Sequence, residues 1–140
     1  MKKMVKRLKN ERGLTLVELL AVVVILGIIA AIAVPSIGMI IENSKKDAAV
    51  SNAQQILNAA QLYKAGTSSV DGDLGHDQLK EYLEGDGIIN PWDASTPITE
   101  YSVTLNSSGS NEVDITFPGK CTISGTSQQL TSKGRDACGS

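Results

Sequence analysis

Residues 13–41 read GLTLVELLAVVVILGIIAAIAVPSIGMII, an apolar run whose only ionisable side chain is Glu18. A carboxylate deep in an apolar membrane segment is expensive and usually functional. Glu18 therefore calls for a partner, and a free α-amine suits the role. From Leu19 to Ile41 there are 23 residues, enough for a helix to cross about 30 Å of hydrocarbon. Ahead of the run, MKKMVKRLKNER sets six basic side chains against the single acid Glu11. A strongly positive flank keeps its own side of a membrane helix in the cytoplasm, so everything after Ile41 is expected outside.

The stretch Gly13-Leu14-Thr15-Leu16-Val17-Glu18, behind a short basic leader and ahead of the apolar run, resembles the class III signal of type IV pilins and their pseudopilin relatives. The resemblance implies that a membrane prepilin peptidase cuts after Gly13 on the cytoplasmic side. Leu14 is then the mature N-terminus, and its new amine is methylated. The family most often has phenylalanine where this chain has Leu14; the apolar character is retained. The implied fold is α+β, with a long N-terminal membrane-spanning helix whose C-terminal half packs against a small antiparallel sheet head. The expected parts are a basic leader at 1–13, a transmembrane and filament-core helix at 14–41, its amphipathic continuation at 42–65 and a globular head at 66–140.

Cleavage at Gly13 would leave a cationic amine in hydrocarbon, one helical turn from Glu18. In the family each incoming subunit's glutamate is thought to match the amine of the preceding subunit. Such a pair compensates desolvation and fixes register, although a buried pair need not be net stabilising. Glu18 reads as an assembly selector rather than a catalyst; a tolerated charge at the membrane edge is the plainer alternative. The segment also has the pieces of an ordinary secretory signal, with Ala31-Ile32-Ala33 before a cut at Val34. Such a signal has no use for Glu18, and Pro35 sits poorly beside that cut.

Gly27 and Pro35 are expected to interrupt the helix. Proline removes a backbone donor and clashes with the preceding turn, and glycine lowers the cost of opening. The family has a similar pair, between which the helix is often melted in filaments; a simple kink fits the same residues. After Ile41, Ala49, Ala53, Ile56, Ala60 and Tyr63 recur at steps of four and three, an apolar stripe that Val50 and Leu57 widen. Glu42, Lys45, Lys46, Asp47, Gln54, Gln55, Gln61 and Lys64 supply the wet face. One helix is expected from about Leu16 to Lys64, about 70 Å at 1.5 Å per residue.

Gly66 to Ser69 reads as a break and the residues to Pro97 as a loop region, with a short helix from about His76 to Leu83. Asn90-Pro91-Trp92-Asp93 resembles the Asp-Pro-Trp-Gly turn before the sheet of major secretion pseudopilins, departing from it at Asn90 and Asp93. Trp92 is expected to anchor the loop to the long helix. From Ile98 the period is two: Tyr101, Val103 and Leu105, then Val113, Ile115 and Phe117, predict two antiparallel strands around a turn at 106–111. Pro118-Gly119 marks a second turn, and Lys120 to Ser124 a candidate third strand. One apolar sheet face would cover the helix stripe.

Cys121 and Cys138 are the only cysteines. An even count outside the membrane supports one disulfide, closing a polar loop for which loop-closure entropy credits about 3 kcal/mol. Many pilins have a similar disulfide-bounded C-terminal region on the fibre surface; here its composition predicts short strands or irregular structure.

Removing residues 1–13 would change the formal net charge from −2 to about −7, a surface that disfavours nonspecific adhesion to DNA or anionic lipid. A head of this size is marginal alone and is expected to need the helix and the disulfide. His76 is the only histidine, and Asp71, Asp73 and Asp77 form part of a calcium loop whose twelfth position is Tyr82 rather than glutamate. No metal, cofactor or catalysis is expected.

The resemblance implies a structural subunit of an extracellular type IV pilus-like filament. Its partners would be copies of itself, minor pilins, the prepilin peptidase and a membrane assembly platform with a cytoplasmic motor ATPase. DNA or host and cell surfaces would be met through the filament. The protein would be single-pass in the inner or cytoplasmic membrane before assembly and on the cell surface after it. The alternatives are a pseudopilin of a DNA-uptake or type II secretion system, and a monomeric membrane-anchored binding or adhesion module that would not need Glu18.

Overall fold

A computed structural model describes the backbone of residues 2–139 other than 69, 71 and 86, and the side chains of those residues from 13 onward. The basic leader's side chains, Ser69 at the end of the expected break and Asp71 of the acidic group lie outside the described residues. The chain divides into two compact units, Met1–Ile41 and Glu42–Ser140. Helix α1 (Lys2–Gly66) contributes residues to both.

In the first unit α1 is helical through both Gly27 and Pro35. Neither residue ends the helix, because one missing donor leaves the surrounding turns hydrogen-bonded. Residues 13–41 are exposed apart from a half-buried Ala33. An 18-residue window reaches a mean hydropathy of 3.0, making this helix long and apolar enough to cross a membrane.

The second unit is α+β. Residues 42–66 of α1 are followed by β1 (Gly72–Leu74), α2 (His76–Leu79), a 3-10 turn at Lys80–Tyr82, β2 (Ile88–Asn90), β3 (Asp93–Ile98), β4 (Tyr101–Leu105), β5 (Glu112–Phe117), β6 (Cys121–Thr126), α3 (Ser127–Lys133) and a 3-10 turn at Gly134–Ala137. A four-stranded antiparallel sheet has the order β1-β4-β5-β6, and β2 and β3 form a separate hairpin. Tyr101 pairs with Ile115 and Ile115 with Ile123, so inward residues share one face across three strands.

That face meets the α1 stripe. Ala49, Ala53, Ile56, Leu57 and Ala60 are buried with Val103, Leu105, Val113, Ile115, Phe117 and Ile123. The alanines lack bulk at the contact, which lets sheet and helix approach, while each buried Ile, Leu, Val or Phe contributes about 1.5–3 kcal/mol. Ala59 is also buried and Tyr63 is packed against the same core.

Two expectations for the head are corrected. The region to Pro97 is not simply loop: it holds β1, β2 and β3. The first two have three residues each, too short to show a period, and β3 is exposed at every position but Ile98, so alternation is missing. Pro97 is tolerated there because an edge position demands no ladder donor. The short helix expected from His76 to Leu83 is four residues of α-helix continued by a 3-10 turn.

The second correction concerns the disulfide-bounded region: it opens with the short strand β6, as expected, but continues as helix α3 and a 3-10 turn rather than irregular structure. Thr126 caps α3 by accepting from the Gln129 backbone N–H, while Gln129 Oε1 accepts from the Thr126 N–H. This reciprocal arrangement satisfies two donors at the helix start. Gly125 makes room for it, with φ +150° and an added Cβ falling 2.9 Å from Gln129 Oε1. Leu130 is fully buried and docks the helix.

Candidate functional site

Gly13, Leu14 and Glu18 lie on one stretch of α1, with Leu14 and Glu18 one turn apart. All three are exposed, as are the large apolar residues from Leu14 to Ile41. At Gly13 and Gly27 an added Cβ would meet nothing within 4 Å. The stretch is thus a cylinder of hydrocarbon with one carboxylate near its start. A carboxylate in lipid is stabilised only by a cation, by hydrogen bonds or by protonation. It has the chemistry of a binding element for other helices or for lipid.

In the second unit Cys121 and Cys138 form a disulfide with Cα atoms 5.3 Å apart. Thr122 bridges Gly139 beside it. The bond fastens the C-terminal segment to the first residue of β6, and two polar contacts fasten the same segment to α1. Arg135 makes a two-pronged ion pair with Asp47, Nε to Oδ1 at 3.2 Å and Nη2 to Oδ2 at 2.9 Å. Gln54 Nε2 donates to Thr131 Oγ1 at 3.4 Å. The ion pair is half exposed on both sides, so solvent screens it and it contributes little by itself.

Trp92 joins the β2–β3 hairpin to α1. Its Nε1 donates to both carboxylate oxygens of Glu42, at 3.0 and 3.2 Å, and its ring lies 5.6 Å from that of Phe117. Asn52 Nδ2 donates to the Ile89 carbonyl at 2.9 Å, a second tie between the same elements. The sequence marks Trp92 as an anchor but places Glu42 on the wet face, because nothing in a helical period reveals which polar residue a distant indole will reach.

Among the described residues, two titrating groups of the head are shifted. Hydrogen bonds from the Ser95 hydroxyl, the Thr96 hydroxyl and the Ser95 backbone hold Asp93 below the usual carboxylate range. Burial pushes Tyr101 up to about 12, and its hydroxyl lies 3.0 Å from His76 Nδ1. Asp73 accepts from Thr104 Oγ1 at 2.7 Å, and among the described residues no group of three or more His, Cys, Asp or Glu is placed to hold a metal ion.

Comparison with known proteins adds one match. The family described as the prokaryotic N-terminal methylation motif matches residues 8–34, which include Gly13, Leu14 and Glu18. No curated protein and no solved structure matches the chain. The methylation motif, one helix of membrane-spanning length and a helix packed on a small antiparallel sheet are together consistent with the pilin and pseudopilin superfamily.

Proposed function

We propose that the chain is a structural subunit of a type IV pilus-like extracellular filament, built by side-by-side packing of α1. The observation that carries this reading is a methylation motif containing Glu18, the one carboxylate of the apolar run, one turn after Leu14. Cleavage after Gly13 removes the basic leader and creates the Leu14 amine, which keeps its charge when methylated. In hydrocarbon that cation and the Glu18 carboxylate of a neighbouring copy each lack another partner, and at low dielectric their attraction is strong enough to set register. A monomeric anchored module needs neither the amine nor the acid.

Before assembly the subunit spans the cytoplasmic or inner membrane with its head outside, and afterwards it lies in a surface filament. The prepilin peptidase, a platform with a cytoplasmic motor ATPase, and minor pilins serve that route. Gly27 and Pro35 are the positions where α1 would open in the filament core, since Pro35 already lacks the donor for the Ala31 carbonyl. A pseudopilin of a secretion or DNA-uptake system is the second reading, favoured by the resemblance of Asn90-Pro91-Trp92-Asp93, here the turn between β2 and β3, to the turn of major secretion pseudopilins. The same polymer would then act as a short piston or thread.

The test is filament yield from Glu18 variants. Glu18→Ala and Glu18→Leu should leave a processed, membrane-resident protein with an intact disulfide-bonded head, yet lose most filament from the sheared fraction on immunoblotting. Glu18→Gln keeps shape and a hydrogen-bonding oxygen, and should also fail if neutralising the amine is what matters. A defect in the alanine and leucine variants alone would assign register to hydrogen bonding. Normal yield from all three would remove the filament mechanism.

A further inference from the structure

A groove on the head carries chemistry that filament assembly leaves unused. It is lined by Leu57 and Gln61 from α1, Ser110 and Asn111 from the β4–β5 connection, and Ser127 and Gln128 from the start of α3, and its volume is about 130 Å³. Its lining contains no lysine, arginine, aspartate or glutamate. Asn111 is only 8% exposed, the one buried polar or charged residue among the described residues.

The Asn111 amide is oriented by one contact: its Oδ1 accepts from the Asn106 backbone N–H at 3.3 Å, so the other end is the donor. Among the described residues Nδ2 has no hydrogen-bond partner. No buried side-chain nitrogen or oxygen there is sealed away without one, so Nδ2 faces open space, and the space that Asn111 lines is the groove. A donor that faces open space in a polar cleft is available to an acceptor there, water or a ligand oxygen.

We propose that this groove binds one uncharged sugar residue. Asn111 Nδ2 donates to a ring or hydroxyl oxygen, while the amides of Gln61 and Gln128 and the hydroxyls of Ser110 and Ser127 exchange hydrogen bonds with the remaining hydroxyls. Amides and hydroxyls both donate and accept, which matches a polyol and not a phosphate or an ammonium group, for which the lining has no counter-charge. Leu57, itself almost fully buried, is the one large apolar contributor, too little for a lipid chain. The volume lies below the roughly 300 Å³ at which pockets for larger ligands begin, and suits a single ring.

The experiment titrates the full chain, 15N-labelled in detergent micelles, separately with D-glucose, D-galactose and N-acetyl-D-glucosamine, and with D-glucuronate and glycerol as controls. At least one neutral sugar should move the side-chain NH2 signals of Asn111, Gln61 and Gln128 saturably in the millimolar range. Asn111→Asp keeps the acceptor for the Asn106 N–H and removes the donor, so it should bind at least about tenfold more weakly. Its remaining spectrum should overlay the wild type, separating lost binding from lost fold; should it not, Gln61→Ala combined with Ser127→Ala tests the same loss. Absence of saturable shifts from every neutral sugar, an equal response to glycerol or glucuronate, or undiminished binding by the variant would overturn the proposal.

Discussion

Ile29 and Ile56 stand on the same helix, yet Ile29 is 56% exposed and Ile56 is 0% exposed. The contrast runs through both regions. Residues 13–41 leave their large apolar side chains bare, whereas residues 49–60 bury theirs under β4, β5 and β6. The second region is an amphipathic stripe, apolar every third or fourth residue, and the chain supplies its own cover. The first is apolar all round, and a helix of that kind is buried only in a large core or a membrane. Its partners must therefore come from lipid or from other chains. One helix thus gives the head its spine and, over residues 13–41, presents an all-apolar surface of membrane-spanning length.

Mutations at matched positions should expose the difference most sharply. Ile56→Ala removes a fully buried side chain and should cost the head about 2–5 kcal/mol, while Ile29→Ala should leave head stability unchanged. Denaturation of the full chain in detergent, followed by Trp92 fluorescence, reads both, since Trp92 is the only tryptophan and lies against Phe117. Equal losses from the two variants would break the comparison.

A smaller effect is expected at the other end of the head. Thiol counting on unfolded, unreduced protein should find no free cysteine, and Cys121→Ser should destabilise the head by about 3 kcal/mol, the loop-closure value for a bridge of this span. Two titratable thiols in native material, or an unchanged denaturation midpoint, would contradict it. The smallest effect belongs to the cap of α3. Thr126→Ala leaves the Gln129 N–H without its acceptor and should cost about 1 kcal/mol, seen in the same denaturation experiment, with no change at residues 13–41.

Periodicity made the helix and the main sheet legible. The stripe Ala49, Ala53, Ile56, Ala60 and Tyr63 and the alternation in β4 and β5 each repeat several times, and repetition separates a pattern from chance. β1 and β2 have three residues apiece and pair only because β4 and β3 lie beside them, so no local signal announced them. Helix α3 was hidden for another reason. Its interior is polar, and the marks that form it, Thr126 with Gln129 and the single anchor Leu130, are spaced like any loop until Gly125 lets the chain turn. The methylation motif was legible because Gly13, Leu14 and Glu18 stand in one contiguous stretch, inside the residues the family model matches. Partners that meet across the fold, Glu42 with Trp92 and Asp47 with Arg135, and the unpartnered amide of Asn111, depend on packing that sequence spacing does not encode.

The N-terminal mass of protein taken from membranes and from sheared filaments tests the account most directly. Processing after Gly13 predicts a chain that begins at Leu14 and carries one added methyl group, in both fractions. A chain beginning at Val34 would mark an ordinary secretory signal and contradict the account, because the apolar run and Glu18 would then be lost before any filament could form.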